Sequence, residues 1–423
     1  MTTDLNPSVT PTLGALRNIP FMGVIYVVHE AMKLGFSNGD PDWCNLGQGQ
    51  PEVGQIEGAP ERINSVQMEP GDHAYGPIDG TVELRSAIAE HYNRLFRSGK
   101  ESKYSAENVS VAAGGRLVLT RIFAALGEGR LGYQIPDYTA YEDMIAYHQH
   151  RMTPVMIEAL EEDGFMVTPN QLERFVEDND LNAFLISNPC NPTGRVVRGD
   201  ELESYIKLGR EKGCTMLMDE FYSHFNFDSD QPAKGPVSAS SHVEDVDQDP
   251  VLIIDGLTKG FRYPGWRLGW AVGPKPMIQS LGCAASAIDG GPNMPLQRAA
   301  LEVLKPERAD QETTAVRCVF SAKRNVMVKR LKAMGIRIAV EPEGTFYVWA
   351  CIADLAAPFN DAEHFFRMAL QAKVLTVPGR FFDVNPGKLR PEPSPLASWM
   401  RFSFGPSMDN MQLGLDRLEN MLS

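Results

Sequence analysis

Cysteine is scarce and unpaired in this sequence. The six residues Cys44, Cys190, Cys214, Cys283, Cys318 and Cys351 are scattered, with no CxxC among them. That spacing disfavours a disulfide framework or a zinc cluster and suits reduced thiols in a cytoplasmic protein. His148 and His150 alternate without a third ligand nearby and read as a polar strand edge rather than a metal site. Positive charge is also in deficit: 40 Lys and Arg stand against 54 Asp and Glu, a formal net charge of −14. A phosphate backbone selects the opposite balance, so nucleic acid is not an expected partner. Long apolar runs are missing too. The stretch around Ile19 to Val28 is too short to span a bilayer, and MTTDLNPSVTPTLG lacks the basic start and apolar core of a secretory signal. No internal repeat or low-complexity tract is present.

What is there has the balance of a globular enzyme, 43% hydrophobic and 22% charged over 423 residues, a length that predicts two or three packed domains. Residues 1–18, rich in Thr, Pro and Asn, predict a flexible arm. Helical spacing over 22–35 (Met22, Ile25, Val28, Met32) ends at Gly35. Asn45 to Pro51 then reads as a strand entering a glycine-rich turn that includes Gly49. A helix is expected from Val82, and a strand over Val109–Ala112 delivers Gly114 and Gly115 to a helix start, where free N–H groups make an anion site. From there strand and helix alternate. Leu131–Ile135 ends in Pro136-Asp137-Tyr138, Ala183–Ser187 in Asn188-Pro189-Cys190-Asn191-Pro192-Thr193-Gly194, and Cys214–Met218 in Asp219-Glu220-Phe221-Tyr222. This order predicts an α/β fold with a mostly parallel central sheet and helices on both faces. Its polar groups fall at strand C-termini, where such sheets bind ligands.

The stretch VLIIDGLTKGFRYPGWRLGW (251–270) carries the strongest chemical signal. A β-branched strand and a turn lead to a lone lysine, Lys259, with Arg267 eight residues on. Low dielectric and a neighbouring cation lower a lysine's pKa and free a carbonyl-trapping amine, while the guanidinium fork of Arg267 suits a phosphate. The segment 228–249 reads as a surface loop, Ala284–Pro295 as a Gly/Pro-rich lead into a helix from Leu296, and Ala315–Met334 as a long connecting helix. Residues 336–423 predict a smaller α+β unit with strands at Arg337–Val340 and Thr345–Ala350, a helix near 361–372, a strand at Val374–Val377, and Arg401 near its end. Taken singly, Asp219-Glu220 reads equally as a solvated loop, Tyr138 as a core aromatic and Arg401 as an edge cation.

Taken jointly, Lys259 with Gly265-Trp266-Arg267-Leu268-Gly269, the Asn188–Gly194 segment, Asp219-Glu220-Phe221-Tyr222 and Arg401 resemble the class I/II aminotransferase family. These are the fold-type I enzymes of the aspartate aminotransferase superfamily, which use pyridoxal 5′-phosphate (PLP). The resemblance runs from about residue 22 to the C-terminus. It implies an N-terminal segment over 19–55, a large PLP-binding domain over 56–300 and a small C-terminal domain over 301–423. It assigns Lys259 to the Schiff base and to proton transfer, and Asp219 to the pyridine nitrogen. Asn191 and Tyr222 go to the ring oxygen and Tyr138 to stacking on the ring. Phosphate would meet the backbone at Gly115 and Arg116, the Thr258 hydroxyl and Arg267. Arg401 would clamp the substrate carboxylate, with Gly49 and Asn191 alongside. A tyrosine matching Tyr75 reaches the phosphate from the neighbouring subunit in that family, which implies a homodimer with shared sites.

Departures from the family pattern mark a divergent subgroup. Gly256 stands where a phosphate-binding Ser is usual, Gly115 and Arg116 replace small hydroxyl residues, Arg380 follows Val377-Pro378-Gly379, and a Pro-rich insertion covers Asn385–Ser398. Dicarboxylate-specific members of that family supply a second arginine from the partner subunit's loop shortly before Asn293, whereas residues 287–293 here contain no arginine but Asp289, which is either a solvated loop acid or a group near the side-chain pocket. The expected reaction is therefore amino transfer between an L-amino acid and a 2-oxo acid, with a cationic or neutral substrate preferred over aspartate. The alternative is a same-fold PLP enzyme of specialised metabolism, an arginine-oxidase-like or aminocyclopropane-carboxylate-synthase-like protein. A PLP-binding regulator would carry a DNA-binding domain ahead of this fold, and only about twenty residues precede the first matching segment.

Overall fold

Strands buried on both faces form the centre of the molecule, and their apolar runs show why. The computed structural model describes residues 19, 21–227, 235–390 and 393–423, so the arm expected over 1–18 lies outside the described residues. In chain order the first elements are α1 (Gly23–Met32), β1 (Cys44–Asn45), α2 (Val82–Phe96), β2 (Val109–Ala112), α3 (Gly115–Ala125), β3 (Gly129–Ile135), α4 (Ala140–His148) and β4 (Met152–Glu158). They continue with α5 (Pro169–Asn179), β5 (Ala183–Ser187), α6 (Gly199–Lys212), β6 (Thr215–Asp219), β7 (Val251–Gly256), β8 (Gly269–Val272), α7 (Lys275–Ile288), α8 (Met294–Val303) and α9 (Pro306–Ala333). The last are β9 (Arg337–Ile338), β10 (Tyr347–Cys351), α10 (Ala362–Gln371), β11 (Val374–Leu375), β12 (Val377–Pro378), β13 (Trp399–Ser403) and α11 (Met408–Leu422).

Seven strands form the central sheet in the order β2-β8-β7-β6-β5-β3-β4. All run parallel except β8, which is antiparallel to both its neighbours. Leu185, Leu217, Ile254 and Ala271 bury on one face with α3, α4 and α7; Phe184, Ile186, Met216, Met218, Ile253 and Val272 bury on the other with α2, α5, α6 and α8. Two-residue alternation thus feeds two cores, which is why these strands read as unbroken apolar runs. A second sheet, β12-β13-β10-β9, is antiparallel, and β1 pairs with β11 by Cys44↔Val374, joining the N-terminal segment to the C-terminal part of the chain. Helix α9, 28 residues long, spans about 42 Å and links the two sheets.

Several expectations are corrected. His148 closes α4 and stacks on Phe123 (5.8 Å, 15°), so it is no strand edge. Residues 275–288 and 408–422 are helices that the sequence reading did not place, and the Ala284–Ile288 stretch is helical despite its small residues. Helix α8 starts at Met294, because Pro295 is tolerated in a first turn and Asn293 caps it, its Oδ1 accepting from Leu296 N–H at 3.1 Å. The described part of 228–249 is not a surface loop: Ala239, Val243 and Val246 are buried against the sheet. The described part of the Pro-rich insertion packs against α4, with Asn385 N–H donating to Glu142 (2.9 Å) and Lys388 pairing with the same carboxylate (2.6 Å).

Candidate active site

Parallel β3, β5, β6 and β7 end at one edge of the sheet, and antiparallel β8 begins there, so five strands deliver side chains to one place. A cleft of about 1010 Å³ opens at that edge, between the central sheet and the β10–β13 ladder. Of the site residues proposed from sequence, all but Tyr75 and Asp289 line it.

Lys259 stands three residues beyond β7. Its Nζ donates to the Gly49 carbonyl and lies 5.9 Å from the ring centre of Tyr222. Burial, together with the cations of Arg401, Arg116 and Arg267, pushes its ammonium down to about 7 against the pull of Asp219.

Asp219, the last residue of β6, is buried. Desolvation pushes its carboxyl up to about 6, opposed by a 2.7 Å hydrogen bond from Tyr141 Oη, by the Phe221 N–H and by Lys259. Tyr141 was not singled out from sequence. It sits on α4 one turn past Tyr138, whose ring meets it edge-on at 5.4 Å, and the i, i+3 spacing of two tyrosines was the available signal. Replacing Tyr141 by Phe removes a donor to the carboxylate, so the carboxyl rises further and is neutral over more of the acidic range. If Asp219 pairs with the ring nitrogen of PLP, as the resemblance implies, the PLP affinity of Tyr141→Phe should fall about tenfold near pH 6, less at pH 8. A PLP titration followed by absorbance at both pH values tests this; a binding profile superimposable on the parent's refutes it.

An anion cradle lies at the start of α3. Gly114 has φ 97°, and a Cβ there would stand 2.3 Å from Arg267 Nη2. A Cβ on Gly115 would meet the Phe221 ring at 2.3 Å, so only glycine lets the guanidinium and the ring close over this helix terminus. Thr258 also lines the cleft. Gly256 is required as well, since its Cβ would collide with the Leu268 carbonyl at 2.5 Å; β7 and β8 are too close there for the usual Ser. The exposed Arg116 donates through Nε to Tyr138 Oη at 3.3 Å.

At the other end stands Arg401, buried in β13. It donates to Asn191 Oδ1 (2.9 Å) and to the Gly47 carbonyl (3.0 Å), while its Nε has no protein partner among the described residues. Tyr222 Oη lies 2.8 Å from Tyr347 Oη, a second residue that sequence reasoning missed.

Tyr75 is fully exposed and does not line the cleft of its own chain. One placement differs from expectation. Asp289 does not line the cleft of its own chain and keeps only 9% of its side chain exposed: it takes Arg121 bidentately (2.7 and 3.1 Å), and Arg121 is buried. The carboxylate is consumed by this pair and is not free to select a cationic substrate.

A lysine with a depressed pKa, a buried acid beside it and a glycine-floored anion cradle under a guanidinium are the donor set that PLP needs, and the cleft fits it. Fold and cleft together define a PLP-dependent transferase of fold type I. A family profile described as aminotransferase class I and II matches residues 41–418, and the chain belongs to that family. It is 27% identical over 386 residues to the aspartate/prephenate aminotransferase of Thermus thermophilus, covering 90% of this chain and 91% of the relative. It is 30% identical over 378 residues to the aspartate/prephenate aminotransferase of Cereibacter sphaeroides (86% and 89% covered). Aromatic-amino-acid aminotransferase 2 of Thermococcus litoralis is 26% identical over 382 residues (89% and 91% covered). The fold matches the solved aspartate aminotransferase of T. thermophilus with maleate, with a TM-score of 0.77, 24% identity and 95% and 97% of the two chains covered. The chain is accordingly a PLP-dependent aminotransferase, and the oxidase and lyase alternatives find no support among these relatives. No helix of the described residues is long and apolar enough to cross a membrane.

Proposed function

We propose that the cleft transfers an amino group from a neutral, largely apolar L-amino acid to a 2-oxo acid, with the residues in the following roles. The observation that carries this reading is the Lys259 amine, pushed down to about 7 among three guanidiniums in a cleft that also holds Asp219. Lys259 is the covalent anchor for PLP and, as a neutral amine, takes the proton from the substrate Cα. When bound, PLP supplies an electron-poor ring that stabilises negative charge at that carbon. Asp219, held by Tyr141, pairs with the ring nitrogen; Tyr222 and Asn191 donate to the ring oxygen; Tyr138 packs on the ring. The α3 terminus at Gly115 and Arg116, with Thr258 and Arg267, holds the phosphate. Arg401, whose Nε has no partner among the described residues, clamps the substrate carboxylate beside Gly49.

Tyr75, exposed on the single chain, reaches the phosphate of a partner subunit in a homodimer; its full exposure is what supports this. The pairing of β1 with β11 supports grouping 19–55 with 301–423 as the small domain, apart from 56–300.

Substrate preference follows from the wall. Val24, Ile25 and Val28 of α1, with Phe36 and Trp43, line the cleft with apolar surface, and residues 287–293 bring no arginine to it. Arg116 at the mouth suits an acidic 2-oxo acid as amino acceptor. Mixing the holoenzyme with single L-amino acids should release 2-oxo acid without hydrogen peroxide or ammonia, with leucine, methionine or phenylalanine ahead of aspartate. Aspartate as the fastest donor would sink the preference. Arg116→Ala is expected to raise KM for a dicarboxylic 2-oxo acid about tenfold or more while moving KM for a neutral donor less than threefold. Equal rises for both would refute its role.

A further inference from the structure

Two phenols face each other in the cleft, and their protons have to be shared out. Tyr222 and Tyr347 are both buried, with hydroxyl oxygens 2.8 Å apart. Each hydroxyl has one proton to donate. A deprotonated ring oxygen on the cofactor is an acceptor only, so Tyr222 meets it as a donor and its proton is committed. The 2.8 Å contact is then left with one order: Tyr347 donates and Tyr222 accepts. A hydroxyl that accepts a hydrogen bond is polarised into a stronger donor.

The ladder explains how Tyr347 comes to be there. Trp349 pairs with Arg401 and Tyr347 with Ser403, so Tyr347 is the diagonal neighbour of Arg401 on one face of the β10–β13 pair. The Arg401 guanidinium carbon lies 3.9 Å from the ring centre of Tyr347, a seat that fixes the fork in place. The charged and titratable groups facing the two phenols are Arg401, Tyr138 and, 5.9 Å from the Tyr222 ring, Lys259.

We propose that Tyr347 is a positioning residue of the amino-transfer site, its hydroxyl turning the Tyr222 proton toward the cofactor oxygen and its ring seating the arginine that grips the substrate carboxylate. This rests on the roles given above to Tyr222 and Arg401. The two duties separate by substitution. Tyr347→Phe keeps the ring and loses the hydroxyl, while Tyr347→Ala loses both.

In holoenzyme, the visible absorbance of the bound chromophore is titrated against pH. Donation to the ring oxygen favours its deprotonated form, so weakening it moves the transition to higher pH. Tyr347→Phe is expected to raise the transition by roughly half a unit to one unit, and Tyr222→Phe by more. The double variant Tyr222→Phe/Tyr347→Phe should match Tyr222→Phe alone, because Tyr347 acts through Tyr222. KM for the amino acid should change less than about threefold in Tyr347→Phe and rise about tenfold or more in Tyr347→Ala. An unmoved titration in Tyr347→Phe beside a shifted Tyr222→Phe overturns the role of Tyr347 alone. Additive shifts in the double variant, or equal KM changes in Phe and Ala, also overturn it. An unmoved titration in Tyr222→Phe overturns the underlying reading of Tyr222 and this inference with it.

Discussion

Lys259→Ala should lower kcat/KM by about 10⁴-fold or more, since it removes both the covalent anchor and the group that moves the Cα proton. The side chain contacts the Gly49 carbonyl and aromatic rings at about 6 Å, so its truncation leaves the sheet cores untouched. Mass spectrometry after borohydride reduction provides an independent reading: the PLP adduct found on the parent should be absent from the variant. Residual activity within tenfold of the parent would remove Lys259 from the chemistry. The depressed pKa makes a further statement about the parent. With an ammonium titrating near 7, the rate at which apoenzyme captures PLP should rise about fivefold between pH 6 and pH 7 and less than threefold beyond. An ordinary lysine would keep gaining about tenfold per unit up to pH 10. The sign follows from burial and three neighbouring cations, all of which disfavour the protonated form in the folded protein.

Asp219→Asn should cost about 10²–10³-fold in the amino-acid half-reaction. Asn keeps the size of the side chain and can still accept from Tyr141, so what is lost is the negative charge. Stopped-flow absorbance with a single amino acid measures the loss, and the absorbance of bound PLP shows that the site is still filled. A rate within threefold of the parent would mean that the charge at 219 does not act on the ring. Coupling to Tyr141→Phe is informative as well. Both changes act on the same carboxylate, so their effects should combine to less than the sum of the separate losses in free energy.

Much of this site was legible in the chain because its residues fall just past the ends of apolar runs. β5 and β7 are buried on both faces, so their boundaries are sharp and Asn191 and Lys259 can be placed by counting. The same logic fails where burial comes from elsewhere. Small residues hide the stripe of α7, where Gly282 and three alanines dilute Ile278 and Leu281, whereas Met411, Leu415 and Leu418 of α11 do carry a helical spacing that went unread. The Ala239–Val246 stretch looked like loop composition, yet it covers a sheet face that only the folded chain creates. Asp289 illustrates the limit best. Two glycines follow it in sequence, and nothing local announces Arg121, 168 residues earlier, as its partner.

The alternation of strand and helix, the attachment lysine, the acid at 219 and the paired glycines before α3 are properties of the sequence itself. Each is a local pattern, set by the period of a strand or by the conformations that glycine alone adopts. Tertiary structure decided the rest: that Tyr141 supports Asp219, that Tyr347 meets Tyr222, that Gly256 cannot carry a side chain and that Asp289 is already paired. Those facts are contacts between segments distant in the chain, and the distances and burial that give them meaning exist only once the two sheets have closed around the cleft.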